Sequence, residues 1–202
     1  MLSKTICTAA AAAFVAQAAQ AGIISYTNAA IWNAQVASAG LSVETENFNA
    51  IADGFYSSPF GGSTASVVWS ASASNGLYVQ GGVFSTNSPE TLSFSFTPGV
   101  RAVAGNFFGT DVNFGNASVF FTVQLSDGTG YSGFASSPTD FTGFRSTTAA
   151  TISALSITVE NAVGTQAVFP SVDNLYFGVV PAPGAMALLG VAGLVGARRR
   201  RA

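Results

Sequence analysis

The sequence has no histidine and a single cysteine. Without histidine it lacks the side chain that most often acts as general base near neutrality, completes a hydrolytic triad or ligates a transition metal. Cys7 lies in an apolar run near the start, and Lys4-Thr5-Ile6 before it does not form a lipobox, so the remaining chain has neither a disulfide nor thiol chemistry. Charge is scarce as well. Of the seven cations, Lys4 and Arg198, Arg199, Arg200 and Arg201 stand at the two ends. Between them, Arg101 and Arg145 face all nine acids, a net charge of −7 for the middle of the chain. A lysine-free acidic surface cannot neutralise phosphates, which excludes nucleic acid as a partner. There is no repeat of solenoid or propeller length, no G-x-S-x-G elbow, no phosphate loop and no cluster with metal-ligand spacing.

What is present begins with two terminal segments that read as addresses. Lys4 gives a positive start, Thr5 to Ala16 is an apolar run, and Ala19-Gln20-Ala21 has the A-x-A form of a signal-peptidase site. Residues 1–21 therefore read as a secretory signal peptide, with cleavage after Ala21. At the other end, Pro181 and Pro183 precede an uncharged apolar stretch from Gly184 to Ala197, followed by the four arginines. As a helix that stretch would span roughly 21 Å, short of a bilayer core of about 30 Å. Snorkelling arginines and flanking residues make up part of the difference and hold the basic end on the cytoplasmic side. The expectation is a transient stop during export, with the middle of the chain outside.

The segment Val180-Pro181-Ala182-Pro183-Gly184, the glycine- and leucine-rich stretch and the terminal Arg cluster resemble the PEP-CTERM class of sorting signals. In that class a Pro-Glu-Pro motif precedes a short hydrophobic helix and a basic terminus; here Ala182 stands in the glutamate's place. The resemblance covers residues 179–202. It implies an exosortase-like processing enzyme as partner and export to the cell surface, outer membrane or exopolysaccharide matrix of a Gram-negative bacterium. It implies nothing about activity, because fold and sorting tail are separable.

Residues 22–178 form the domain between. Short runs of period two are broken by Gly, Asn, Asp, Ser and Pro. Leu92, Phe94 and Phe96 alternate with serines; Val119, Phe121, Val123 and Leu125 share a face, and Ile152, Leu155, Ile157 and Val159 mostly share one. Further strands are expected at 23–26, 41–48, 66–72, 77–80, 100–108, 131–135, 141–145 and 174–179. Asn75-Gly76, Pro98-Gly99 and Asp127-Gly128 are turn signals. Residues 29–39 suit either one short helix or a loop over Trp32. The pattern predicts an all-β antiparallel sandwich of jelly-roll type. Tyr131-Ser132-Gly133-Phe134 and Phe141-Thr142-Gly143-Phe144 echo each other and suggest a hairpin with aromatic cross-strand pairs. The plan, from Glu46-Asn47-Phe48 to Asp173-Asn174-Leu175-Tyr176-Phe177, resembles ectodomains that carry such tails and carbohydrate-binding jelly rolls.

Three chemistries can be assigned to particular residues. Glu46 and Asp173, on early and late strands expected to be neighbours, could share a structural calcium ion with backbone carbonyls. Tyr56 and Phe60, in a Gly/Ser/Pro-rich stretch, could stack on sugar rings of an extracellular polysaccharide, whereas Trp69 reads as core. A hydrolase would have to rely on paired carboxylates. Asp53, Asp111, Asp127 and Asp140 all sit beside turn-forming residues, where capping explains each of them. The leading expectation is thus a non-enzymatic surface or matrix protein, with a carbohydrate-binding module as the alternative and a glycan hydrolase as a distant third.

Overall fold

The computed structural model describes residues 22–181. In chain order the elements are β1 (Ile23–Tyr26), α1 (Ala29–Ser38), β2 (Ser42–Glu46), β3 (Gly54–Tyr56), β4 (Phe60–Ser63), β5 (Val68–Ser72), β6 (Leu77–Gln80) and β7 (Val83–Thr86). Then follow β8 (Leu92–Phe96), β9 (Val100–Thr110), β10 (Asn116–Ala117), β11 (Val119–Leu125), β12 (Gly130–Ala135), β13 (Phe141–Ser146), β14 (Ala154–Asn161) and β15 (Phe169–Val179). They form two sheets in which every pairing is antiparallel. The nine-stranded sheet runs β1-β13-β9-β15-β7-β6-β3, with β10 beside β9 and β2 beside β15; the six-stranded sheet runs β12-β11-β14-β8-β5-β4. The all-β antiparallel architecture expected from the alternation is therefore present.

Period-two patterning works because consecutive side chains leave a strand on opposite faces. In β8, Leu92, Phe94 and Phe96 are buried while Ser95 is exposed; in β11, Val119, Phe121, Val123 and Leu125 are buried while Phe120 and Gln124 are exposed. The inward residues of both sheets meet in one core, centred on Phe48, Trp69, Phe84 and Phe94. Trp69 stands at 90° to Phe84 with ring centroids 5.8 Å apart, and Phe48 lies 5.5 Å from Trp69. Each such side chain contributes about 1.5–3 kcal/mol by leaving water, which suffices to order short strands with no disulfide between them.

A second, smaller core lies on the outer face of the nine-stranded sheet. The Asn28 side chain accepts a hydrogen bond from the Ile31 backbone N–H (3.0 Å) and caps α1. Gly40, at φ +71°, turns the chain out of the helix at its other end. Trp32 and Val36 point from α1 onto Ala102 and Ala104 of β9, and Trp32 Nε1 donates to the Phe144 carbonyl (3.1 Å). The sheet admits the helix because its residues there are small. A Cβ added at Gly143 would sit 2.6 Å from Trp32 Cδ1, and one at Gly178 would sit 2.7 Å from the Ala102 Cβ. Phe141 and Tyr176 flank the indole at 5.9 and 6.2 Å. Of the two readings open for residues 29–39, the helix is the one observed, and Trp32 is packed beneath it.

Three departures from the expected strands have physical causes. The echoing segments around Phe134 and Phe144 do not form a hairpin: β12 pairs with β11 in one sheet, β13 with β9 and β1 in the other. Strand β4 hides in Phe60-Gly61-Gly62-Ser63, which reads as loop. Its glycines are there because Trp69 is close: a Cβ at Gly61 would lie 2.4 Å from the Trp69 carbonyl oxygen, and one at Gly62 would lie 2.8 Å from the indole. Strand β15 starts five residues before its expected position, with Pro170 inside it. Its register slips at Asn174, which adopts φ +52°. That bulge lets one edge of β15 change partner, from β7 at Ser171–Val172 to β2 at Leu175–Val179, while the other edge stays on β9.

Candidate functional site

The nine acids are the natural place to look for chemistry, and seven of them are already engaged as hydrogen-bond acceptors. Asp53 accepts from the Gly81 N–H (2.8 Å), and Asp111 Oδ1 accepts from Asn113 and Gly115 (both 2.8 Å). Asp127 binds the Thr129 N–H and hydroxyl (both 2.9 Å), and Asp140 accepts from Ser136 and Ser137 at 2.8 and 3.0 Å. Glu90 holds Ser74 and Asn75 at 3.0 and 2.8 Å. Apart from the Thr129 hydroxyl, the donors are loop N–H groups that no strand reaches. Glu44 takes the Ser66 N–H (2.9 Å) and the hydroxyls of Thr64 and Ser66. Burial pushes its carboxyl up, but the hydrogen bonds from Ser66 and Thr64 outweigh that and hold it below the ordinary value. Burial raises the Asp173 carboxyl, and the nearby Asn174 backbone offsets only part of that; burial and the Asp173 charge together raise the Tyr176 phenol.

Glu46 and Asp173 are on adjoining parts of the sheet, as expected for early and late strands, but they face opposite ways. Glu46 pairs in register with Leu175 and points into the main core. There its carboxylate accepts from the Phe48 N–H (2.9 Å) and from Trp69 Nε1 (3.0 Å). Asp173 pairs with Asn106, in the same row as Phe141, on the outer face beside Tyr176. The sheet lies between the two carboxylates, so they do not converge on one ion. Among the described residues no three His, Cys, Asp or Glu side chains group as metal ligands.

Tyr56 and Phe60 are brought together, with ring centroids 4.3 Å apart. They are half-buried and packed on the main core, Phe60 stacking over Phe84 at 6.2 Å. The Tyr56 hydroxyl donates to the Ala52 carbonyl (2.7 Å). Each ring therefore has a face committed to packing.

The outer face of the six-stranded sheet has a different character, and no described segment covers it. Its floor is Ser70, Ser72, Ser93, Ser95, Gln124 and Ser156, lining an open depression of about 470 Å³. One row along β11 and β14 from Gln124, Thr122 faces Ser132 and Thr158. One row further, Phe120 faces Phe134 and Glu160. The last two rows enclose a second depression of about 370 Å³. Phe120 and Phe134 meet edge to face at 5.7 Å and are 56% and 53% exposed. The Glu160 carboxylate accepts no hydrogen bond from the described residues and stands exposed at the end of this row. The signal for this surface was in the sequence: if Phe121 points inward, Phe120 must point outward. Pairing Phe134 and Glu160 with it required the strand register, which alternation alone does not give.

Of the sorting residues, Pro181 closes the described segment; Ala19, Ala21, Ala182, Pro183, Gly184 and the four terminal arginines lie outside the described residues. Compared with known proteins, the chain matches no family model, no curated protein and no solved structure.

Proposed function

We propose that this chain is an exported, non-enzymatic protein of the surface or exopolysaccharide matrix of a Gram-negative bacterium, sorted by an exosortase-like system through its C-terminal tail. The observation that carries the reading is the order of segments: a signal peptide with A-x-A at Ala19 to Ala21, a domain with a net charge of −7, and a proline-headed apolar stretch closed by Arg198 to Arg201. That order supplies a start and a stop for membrane passage. The domain suits the role. Its acids staple turns, and its strands hold together without thiols. The sandwich is read as a jelly roll, which is supported by neighbours far apart in sequence, β1 with β13 and β2 with β15.

The test is mass spectrometry of the protein recovered separately from cells and medium. The expected product begins at Gly22, has lost or modified its tail, and is surface-bound or released. An intact Met1 with an uncut tail in the cytoplasm would overturn the reading. A second reading, a carbohydrate-binding module, is favoured by one observation: the hydroxyl-lined outer face of the six-stranded sheet carries a pair of exposed aromatic rings.

A further inference from the structure

We infer that the outer face of the six-stranded sheet is the glycan-binding surface of this protein, anchored by Phe120, Phe134 and Glu160, and that its ligand is an uncharged polysaccharide. The inference gives the second reading a site and a ligand class, and it moves that site away from Tyr56 and Phe60.

Three features converge there. The rings of Phe120 and Phe134 are more than half exposed and sit directly opposite each other across β11 and β12. Two adjacent exposed phenylalanines on a sheet face offer an apolar platform that hydroxyl-bearing rings can cover with their C–H faces. Glu160 lies in the same row on β14. As a free carboxylate it can accept two hydroxyl donors at the edge of a ring stacked on that platform. One row away, the Thr122 and Ser132 hydroxyls bond each other at 2.8 Å and are joined by Thr158, which leaves acceptor and donor capacity facing out. Beyond them the serine and glutamine floor continues across β14, β8 and β5. From the phenylalanine row to the Gln124 row is roughly 13 Å along the strands, and four strand spacings cross roughly 19 Å. That track suits several units of an extended polymer rather than a single small molecule.

Charge selects the class of polymer. Neither Arg101 nor Arg145 lies on this face; both are in the nine-stranded sheet, where they donate to the Thr148 and Ser146 carbonyls. The platform carries one negative group and no cation, in a domain of net −7. A polyuronate or sulfated polymer would be repelled; a neutral polymer, rich in hydroxyl donors, would not.

The test is affinity electrophoresis of the full chain in gels containing neutral glucan, mannan or galactan, with alginate as the anionic comparison. Retardation by at least one neutral polymer is expected, and none by alginate. Phe120→Ala with Phe134→Ala should weaken retardation about tenfold or more, and Glu160→Gln by a smaller factor. Val112→Ala, at an exposed position in the loop between β9 and β10, should leave it unchanged. The phenylalanine positions are exposed, so an unchanged thermal transition will show that the double variant is folded. Absence of retardation by every neutral polymer overturns the inference, as does retardation that survives the double variant. So does a Phe120- and Phe134-dependent dimer, or flotation with phosphatidylcholine vesicles, in place of glycan binding: the face would then belong to a second copy or to lipid. None of these outcomes bears on where the protein is found, so the export reading stands or falls separately.

Discussion

The two outer faces of the sandwich are both built from small residues, yet one is covered and the other is open. On the nine-stranded sheet, Gly143, Gly178, Ala102 and Ala104 leave a hollow that Trp32 fills from α1. On the six-stranded sheet, the serines of β5, β8 and β14 leave a hollow that no described segment enters. The difference is in the side chains at the rim. Phe141 and Tyr176 flank the indole with their rings, and Trp32 is fully buried in the first hollow. The second hollow is lined with hydroxyls that stay solvated at no cost, and farther along the same face two exposed phenylalanines stand beside Glu160. Small residues mark a docking face in both cases; polarity tells whether the chain itself or something outside it is the occupant.

If the covered face is structural, its removal should have the largest effect. Trp32→Ala should cost about 3–5 kcal/mol, by loss of a fully buried side chain and by leaving the hydrogen bond to Phe144 unmade. Urea unfolding would show this as a lower midpoint. On the open face, Phe120→Ala should change stability by less than about 0.5 kcal/mol in the same assay. Equal losses at the two sites would erase the contrast.

A smaller effect is expected at the seat of the helix. Gly143→Ala places a methyl 2.6 Å from the Trp32 ring and 2.9 Å from the Ala104 Cβ, contacts that α1 can relieve only by moving away. The expected loss is about 1–3 kcal/mol. Fluorescence of Trp32 should shift to longer wavelength as the indole meets water, read in a Trp69→Phe background. Ser95→Ala, on the open face, should be near neutral. An effect of the same size as Gly143→Ala is expected in the buried hydroxyl chain of Thr110, Ser171 and Ser85, linked at 2.8 and 2.9 Å. Ser171→Ala removes its central member and should cost about 1–3 kcal/mol in urea unfolding, since two buried hydroxyls lose a partner.

Much of this was visible in the pattern of residues. Alternation identified most strands, the inward faces of β8, β11 and β14, and the turns at Gly76, Gly99 and Gly128. What it could not provide was any fact that depends on a neighbour far along the chain. The glycines of β4 are explained only by the Trp69 backbone and ring, and the start of β15 was masked by Pro170. Phe134 and Phe144 look equivalent in sequence but enter different sheets. Residue type and position also misled for the paired acids: Glu46 and Asp173 were rightly placed on neighbouring strands, but a register slip at Asn174 and the pleat put their carboxylates on opposite faces. The outward row of Phe120, Phe134 and Glu160 was missed for the same reason, since it assembles from three strands at once.

The smallest expected effects are those of pH, and here Glu44 and Asp173 should act with opposite sign. Glu44 titrates below its ordinary value of 4.5 in the folded protein, because Ser66 and Thr64 donate to the ionised form against the cost of burial. Its stabilising contribution is complete above that ordinary value and is lost as pH falls through the lowered folded value. Glu44→Gln should therefore lower the urea midpoint near pH 7 and have little effect near pH 3. Asp173 is raised above 3.8 by burial, so its ionised form is the less favourable one in the fold. Its contribution is greatest below 3.8 and is lost as pH rises through the raised folded value. Asp173→Asn should consequently raise the midpoint near pH 7 and leave it unchanged near pH 3. It should also lower the titration of Tyr176 toward its ordinary value of 10.0, because the neighbouring charge is gone while burial remains. The same sign for both substitutions at neutral pH would mean that Asp173 is held by a compensating partner, and that the covered face is as well matched to charge as the turns that Glu44 secures.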